Sequence, residues 1–203
     1  MKKLMIAAAL AGLATTAVAQ QRQKVDPAVL DKYFQSMFGK ANDDWKARVT
    51  QDQTLKDCDA HGNAPPPKLF DEIVAREKAT VKFPADGNVL GDWKKGLQVA
   101  NRGTGGQFSD APGTYQGGNC YACHEMAPTE LSYGTLGPSL KGYGKARNFS
   151  KDEAKATFAK VYNAQSVMAC SQMPRFGHTK FLTEEQIKDV VAFLFDPESP
   201  VNK

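Results

Sequence analysis

The chain has 203 residues, with 26 Lys and Arg against 22 Asp and Glu, a formal charge of +4. That charge falls to +2 if Lys2 and Lys3 leave with the N-terminal segment, so there is no basic bias of the kind that nucleic acid selects. Four cysteines in an exported chain each need an explanation.

The first segment, MKKLMIAAALAGLATTAVAQ, has a basic start, an apolar stretch over 4–16 that is too short to span a bilayer, and a small-x-small site at Ala17-Val18-Ala19. It is expected to be a secretory signal over 1–19, cleaved after Ala19. No later apolar run reaches the ~18 residues of a membrane span, so no membrane partner is expected. The mature chain, 20–203, then occupies an oxidising, periplasmic compartment.

Residues 20–88 read as a helical extension. Asp26-Pro27 opens a helix through about Phe38 with Val29, Leu30, Tyr33, Phe34 and Met37 on one face. Such a face has to bury itself on the following domain or on a partner. Trp45 and Val49 suggest more helix after Gly39. Cys58-Asp59-Ala60-His61 follows, then Pro65-Pro66-Pro67 and a helix over Lys68–Lys78. Cys58 and His61 are too few for a metal site.

Residues 89–203 read as a separate all-α domain. Trp93–Asn101 is a helix with Trp93, Leu97 and Ala100 on one face and Gly96 in its middle; a mid-helix glycine costs about 1 kcal/mol against alanine and suggests close packing. The glycine-rich run 103–118 reads as a flexible surface loop. Then comes Cys120-Tyr121-Ala122-Cys123-His124, C-x-x-C-H. Two thiols at this spacing can form thioethers with haem vinyl groups, and the adjacent histidine is then held against the iron. A thioredoxin-like motif would need a strand-to-helix setting, and a zinc site would need a second Cys/His pair; neither is in the pattern. Cys58 and Cys170 remain and are expected to pair, with free or intermolecular thiols as the alternative.

A helix over Lys151–Asn163, with Ser150 as cap, carries Ala154, Phe158 and Val161 on its apolar face. The loop 164–182 offers four metal-binding side chains: Met168, Cys170, Met173 and His178. Thr183-Glu184-Glu185-Gln186 is a capping box. It opens a last helix with Ile187, Val190, Val191 and Leu194 at helical spacing, ended by Asp196-Pro197.

The stretch Gly137-Pro138-Ser139-Leu140-Lys141-Gly142, after C-x-x-C-H, resembles the G-P-x-L-x-G stretch of class I c-type cytochromes. That resemblance implies an all-α, class I cytochrome c-like fold around one covalent haem c. It implies that the Pro138 carbonyl orients the ring of His124, that Leu140 packs on the haem, and that the first and last helices cross at Gly96 against Phe193 or Phe195. It also places the sixth ligand in the loop before the last helix. Met173, stiffened by Pro174, is the expected donor, giving His/Met ligation by His124 and Met173. His178 is the reserve, and Met168 is expected to be core filler.

The blocks NCYACH, LGPSL, KVYNAQSVMACSQMPRFG and LTEEQIKDVVAFLF together resemble the SoxX family over about 89–203. SoxX is the monohaem subunit of SoxAX, an L-cysteine S-thiosulfotransferase of bacterial thiosulfate oxidation. The resemblance implies a non-catalytic electron-transfer subunit, with the main active site on SoxA. Its partners would be SoxA, the SoxYZ carrier and a soluble cytochrome c acceptor. A free-standing periplasmic electron carrier is the alternative, and a haem sensor or peroxidase-like enzyme is a third reading.

Overall fold

The computed structural model describes residues 25–203 except 42, 108 and 112; the expected signal segment, 1–19, lies outside the described residues. The chain divides into two units, one ending at Lys40 and one spanning Ala41–Lys203.

The first unit contributes one described helix, α1, Pro27–Phe38. Asp26 caps it by accepting from the Ala28 amide at 2.9 Å, and Pro27 stands at the first helical position, where its missing N–H costs nothing. No residue of α1 is buried; Val29, Leu30, Tyr33 and Met37 are exposed.

The second unit holds α2 (Asp43–Val49), α3 (Gln53–Ala60), α4 (Pro67–Lys78), α5 (Trp93–Asn101), α6 (Lys151–Tyr162) and α7 (Glu184–Phe195). No strand occurs among the described residues. The capping box of α7 forms in full: Thr183 Oγ1 accepts from the Gln186 amide and Gln186 Oε1 from the Thr183 amide. Ser150 caps α6, and Asp92 caps α5 through the Lys94 amide. The sequence pattern did not mark α3 as a helix; Asp52 starts it by accepting from the Leu55 amide at 2.9 Å.

α5 and α7 cross at Gly96. A Cβ there would run into the Asp189 carbonyl and lie 2.8 Å from Phe193 Cβ, so only glycine allows this approach, and the aromatic concerned is Phe193. Gly91 meets the same residue: its amide donates to Lys188 O at 3.0 Å, while Asp189 Oδ1 accepts from the Asp92 amide at 2.8 Å. The main core gathers around this crossing, with Val99, Phe158, Ile187, Val191 and Phe193 fully buried. Phe195 is buried in the same core and meets Tyr143 edge-on at 5.5 Å. The chain end returns to close it: Asn202 Nδ2 donates to Leu194 O and Asp196 O, and its Oδ1 accepts from the Gly144 and Lys145 amides.

α3 and α4 form a second, smaller core with the segment after α6. Cys58, Ile73, Ala169 and Cys170 are buried there, with Leu69, Phe70 and Val74 against them. Cys58 and Cys170 are joined as a disulfide, with Cα atoms 5.4 Å apart across 112 positions of sequence. Contacts thus run across residue 88 within one unit.

Gly96→Ala should destabilise the protein by about 1–3 kcal/mol through overpacking. Helix propensity alone would favour alanine by about 1 kcal/mol. A urea titration followed by far-ultraviolet circular dichroism reads the sign; an unchanged or raised midpoint would mean that the crossing has slack.

Candidate functional site

The C-x-x-C-H motif hangs from the α5–α7 crossing by main-chain bonds. The Gly118 amide donates to Val99 O at 2.7 Å, the Asn119 amide to Arg102 O at 3.1 Å, and Gln186 Nε2 on α7 to Gln116 O at 2.7 Å. The glycine-rich run is therefore pinned at its end. Gly117 lies against the Arg102 carbonyl and Gly106, with positive φ, against the Phe181 ring, both too close for any Cβ. From Asn119, which is left-handed with φ 47°, the chain enters a short 3-10 turn, Cys120–Ala122.

Cys120 and Cys123 are both half-buried and unpaired. Burial pushes the Cys120 thiol up to about 12, which favours its neutral form. Among the described residues no three His, Cys, Asp or Glu side chains converge to hold a metal ion.

His124 is fixed from the other side. Residues 123–125 run beside 137–140: the Gly137 amide donates to Cys123 O at 2.8 Å and the Leu140 amide to Glu125 O at 2.7 Å. Glu125 also accepts from Ser139 Oγ at 2.7 Å and pairs with Lys141 at 3.1 Å, contacts that hold its carboxyl below the usual range. Within this frame His124 Nδ1 donates to Pro138 O at 2.8 Å. A carbonyl only accepts, so Nδ1 carries a proton; in the neutral ring Nε2 is then the atom with the lone pair. Gly137 lies flat against the ring; a Cβ there would overlap the imidazole. Leu140 is half-buried against the main core.

Met173 also packs, half-buried, against that core, as does Cys120. A cavity of about 730 Å³ reaches from Gly118 and Asn119 to Met173 and Pro174, with Phe176 and Phe181 in its wall. That size lies within the range of cofactor sites, about 300–1,000 Å³. Met168 is not core filler: it is 56% exposed, because the turn after Ala164–Ser166 points outward there. His178 faces Asp52, with Nε2 3.9 Å from its carboxylate, and its pKa is lowered by burial and by Arg175 against the pull of Glu77 and Asp52.

The sequence reading missed a buried polar cluster behind Met173. Glu77, 3% exposed, accepts from Thr54 Oγ1 and from Asn163 Nδ2 (2.6 Å), and lies 3.3 Å from Arg175 Nη1. Arg175 also pairs with Asp52 at 2.7 Å. Burial opposes the charge on Glu77, but the hydrogen bonds from Thr54 and Asn163 and the Arg175 charge outweigh it and lower its pKa. Burial likewise opposes the charge on Asp52, and the Leu55 amide and Arg175 overcome it. One signal was available: Leu69, Phe70, Ile73, Val74 and Glu77 share a helical stripe, so Glu77 stands where an apolar residue belongs.

Residues 108–196 match the cytochrome c family model. Along 188 residues the chain is 38% identical to a protein of Aquifex aeolicus described as an uncharacterized lipoprotein, covering 91% of this chain and 89% of the relative. This chain carries a cytochrome c domain. The cytochrome domain implies covalently bound haem c and haem-based electron transfer with redox partners, and the all-helical fold is that of class I cytochromes c. The residues present fit the group: two unpaired thiols, a histidine whose Nδ1 is held by Pro138, a thioether donor, and a cavity that runs from Gly118 and Asn119, just before the motif, to Met173. In the described part of the cytochrome no helix is long and apolar enough to cross a membrane.

Because Glu77 and Asp52 titrate lower in the fold than freely, their stabilisation is complete above the ordinary values of 4.5 and 3.8 and is lost as pH falls below them. The urea midpoint of this cytochrome should therefore be lower at pH about 3 than at pH about 6, and Glu77→Gln should narrow that difference.

Proposed function

We propose that this cytochrome is the electron-transfer subunit of a SoxAX-type thiosulfate-oxidising complex, carrying one haem c. Cys120 and Cys123 would hold the haem through thioethers, and His124 Nε2 and Met173 would be its axial donors. Haem bound in this way supplies a one-electron couple. The observation that carries the reading is the 2.8 Å bond from His124 Nδ1 to Pro138 O directly after two unpaired thiols. A carbonyl acceptor behind a ligating histidine fixes its tautomer and raises its basicity. Leu140, two residues after Pro138, would exclude water from the haem face. With His124 and Met173 both donating to the iron, the chain would have no open position for substrate, which would suit electron transfer rather than oxygen or peroxide chemistry.

The assignment to SoxAX rests on the blocks NCYACH, LGPSL, KVYNAQSVMACSQMPRFG and LTEEQIKDVVAFLF. SoxA would carry the thiosulfate-coupling site, SoxYZ would carry the product on a cysteine thiol, and a soluble cytochrome c would take the electrons onward. The lipoprotein description of the Aquifex relative names a class of exported protein, which supports export of this chain; a periplasmic location after cleavage at Ala19 is part of the proposal.

Purification from the native host separates this reading from a free-standing carrier. The cytochrome should come down with a larger haem protein; a strictly monomeric, electron-shuttling protein would return the carrier. Met173→Ala should abolish the weak red charge-transfer band of methionine-ligated ferric haem, and His178→Ala should leave it in place. Survival of the band in Met173→Ala would remove Met173 as ligand.

A further inference from the structure

We propose that Glu77 is a positioning residue for the Met173 loop: one buried carboxylate holds both ends of the segment that carries the sixth ligand. The inference rests on the reading of Met173 as that ligand.

The segment starts at Asn163, where α6 ends, and passes Met173 to reach Arg175. Both ends converge on the same oxygen. Asn163 Nδ2 donates to Glu77 Oε2 at 2.6 Å, and Arg175 Nη1 lies 3.3 Å from it. Glu77 Oε1 is satisfied separately by Thr54 of α3. The bonds continue inward from Asn163: its Oδ1 accepts from the Gln165 amide at 3.1 Å, and Gln165 Oε1 accepts from the Cys170 amide at 3.1 Å. Cys170 is held left-handed, with φ 58°, and is bonded to Cys58. From Cys170 to Arg175 the chain is short, and Met173 lies between two fixed points.

Apolar packing would be an equally good way to bury α4 here, and a cheaper one. A buried carboxylate is costly to desolvate unless its partners are complete. What it adds is direction: its hydrogen bonds end on named atoms of the loop, so the loop has one arrangement and not several of similar energy. Asp52, at 2.7 Å from Arg175, offsets the remaining charge of the guanidinium, and Arg76 donates to Thr54 Oγ1 at 3.0 Å from the far side. These contacts give α3 and α4 a task in the cytochrome: they are the frame for the thioether side of the haem.

The test uses the full haem-loaded chain with Glu77→Gln. Amide hydrogen exchange over Gln165–Arg175 should accelerate by about tenfold or more while α5 and α7 hold, the loss of one hydrogen bond to a charged group. The ferrous protein should also take up carbon monoxide about tenfold faster, because Met173 yields its position more often. Exchange that stays within about twofold of the parent, or that rises equally in α5 and α7, overturns the inference. If Glu77→Gln does not fold, Asp52→Asn keeps the helix cap and should speed exchange at Met173 and Arg175 by about threefold; no change there overturns it as well. Met173→Ala in parallel keeps the two readings apart. If that variant retains its red band and slow carbon monoxide uptake, the ligand assignment falls, while the exchange data still decide whether Glu77 orders the segment.

Discussion

The close approach of α5 and α7 at Gly96 is the contact from which the rest of the molecule is hung. With no Cβ at that position, the Asp189 carbonyl and Phe193 settle directly onto the α5 backbone. Two further consequences follow from the same few atoms. Asp189 Oδ1 takes the Asp92 amide and so fixes where α5 starts. The other end of α5 then presents Val99 O and Arg102 O, which receive the amides of Gly118 and Asn119 just before Cys120. The position of the two thiols is thus a main-chain consequence of a helix crossing far away in sequence.

The two sides of the proposed haem site are held by different physics. On the histidine side almost every restraint is backbone: paired runs at 123–125 and 137–140, and a ring hydrogen bond to a carbonyl. Such restraints depend little on side-chain identity beyond the glycines and Pro138. On the methionine side they are side-chain bonds around a buried charge, from Thr54, Asn163 and Arg175. The methionine side is therefore the more sensitive to single substitutions and to acid. The disulfide adds a covalent restraint to this weaker side: closing a loop of this length is worth about 4–5 kcal/mol in the chain-entropy model.

Much of the first side was legible in the sequence. C-x-x-C-H, the capping box at Thr183 and the mid-helix Gly96 are local patterns whose chemistry is the same in any fold, and the capping box and Gly96 took the expected places. The pairing of Cys58 with Cys170 could be reached by counting cysteines. The second side was opaque for a definite reason. Glu77 sits between Arg76 and Lys78, which reads as a solvated charge run, and Arg175 reads as an ordinary loop cation. Only the fold shows that the two meet across 98 positions of sequence. Met168 was misplaced for the same reason, since a methionine near a helix end has no local signature that tells core from surface.

This division bears on why an electron-transfer domain would carry α3 and α4 at all. A thioether is a weak, neutral donor, and its hold on iron depends on how little the loop around it moves. α6 and α7 flank the loop but leave its middle to irregular backbone, held by short-range bonds such as those of the Met168, Ser171 and Met173 amides. Ile73 and the Cys58–Cys170 bond fill the space behind the loop, and Glu77 ties its two ends. α3 and α4 thus complete a wall that the helices after Trp93 leave open. In the proposed haem site, substitutions in the smaller core, remote from the thiols and the histidine in sequence, would act through Met173 and leave the His124–Pro138 contact as it is.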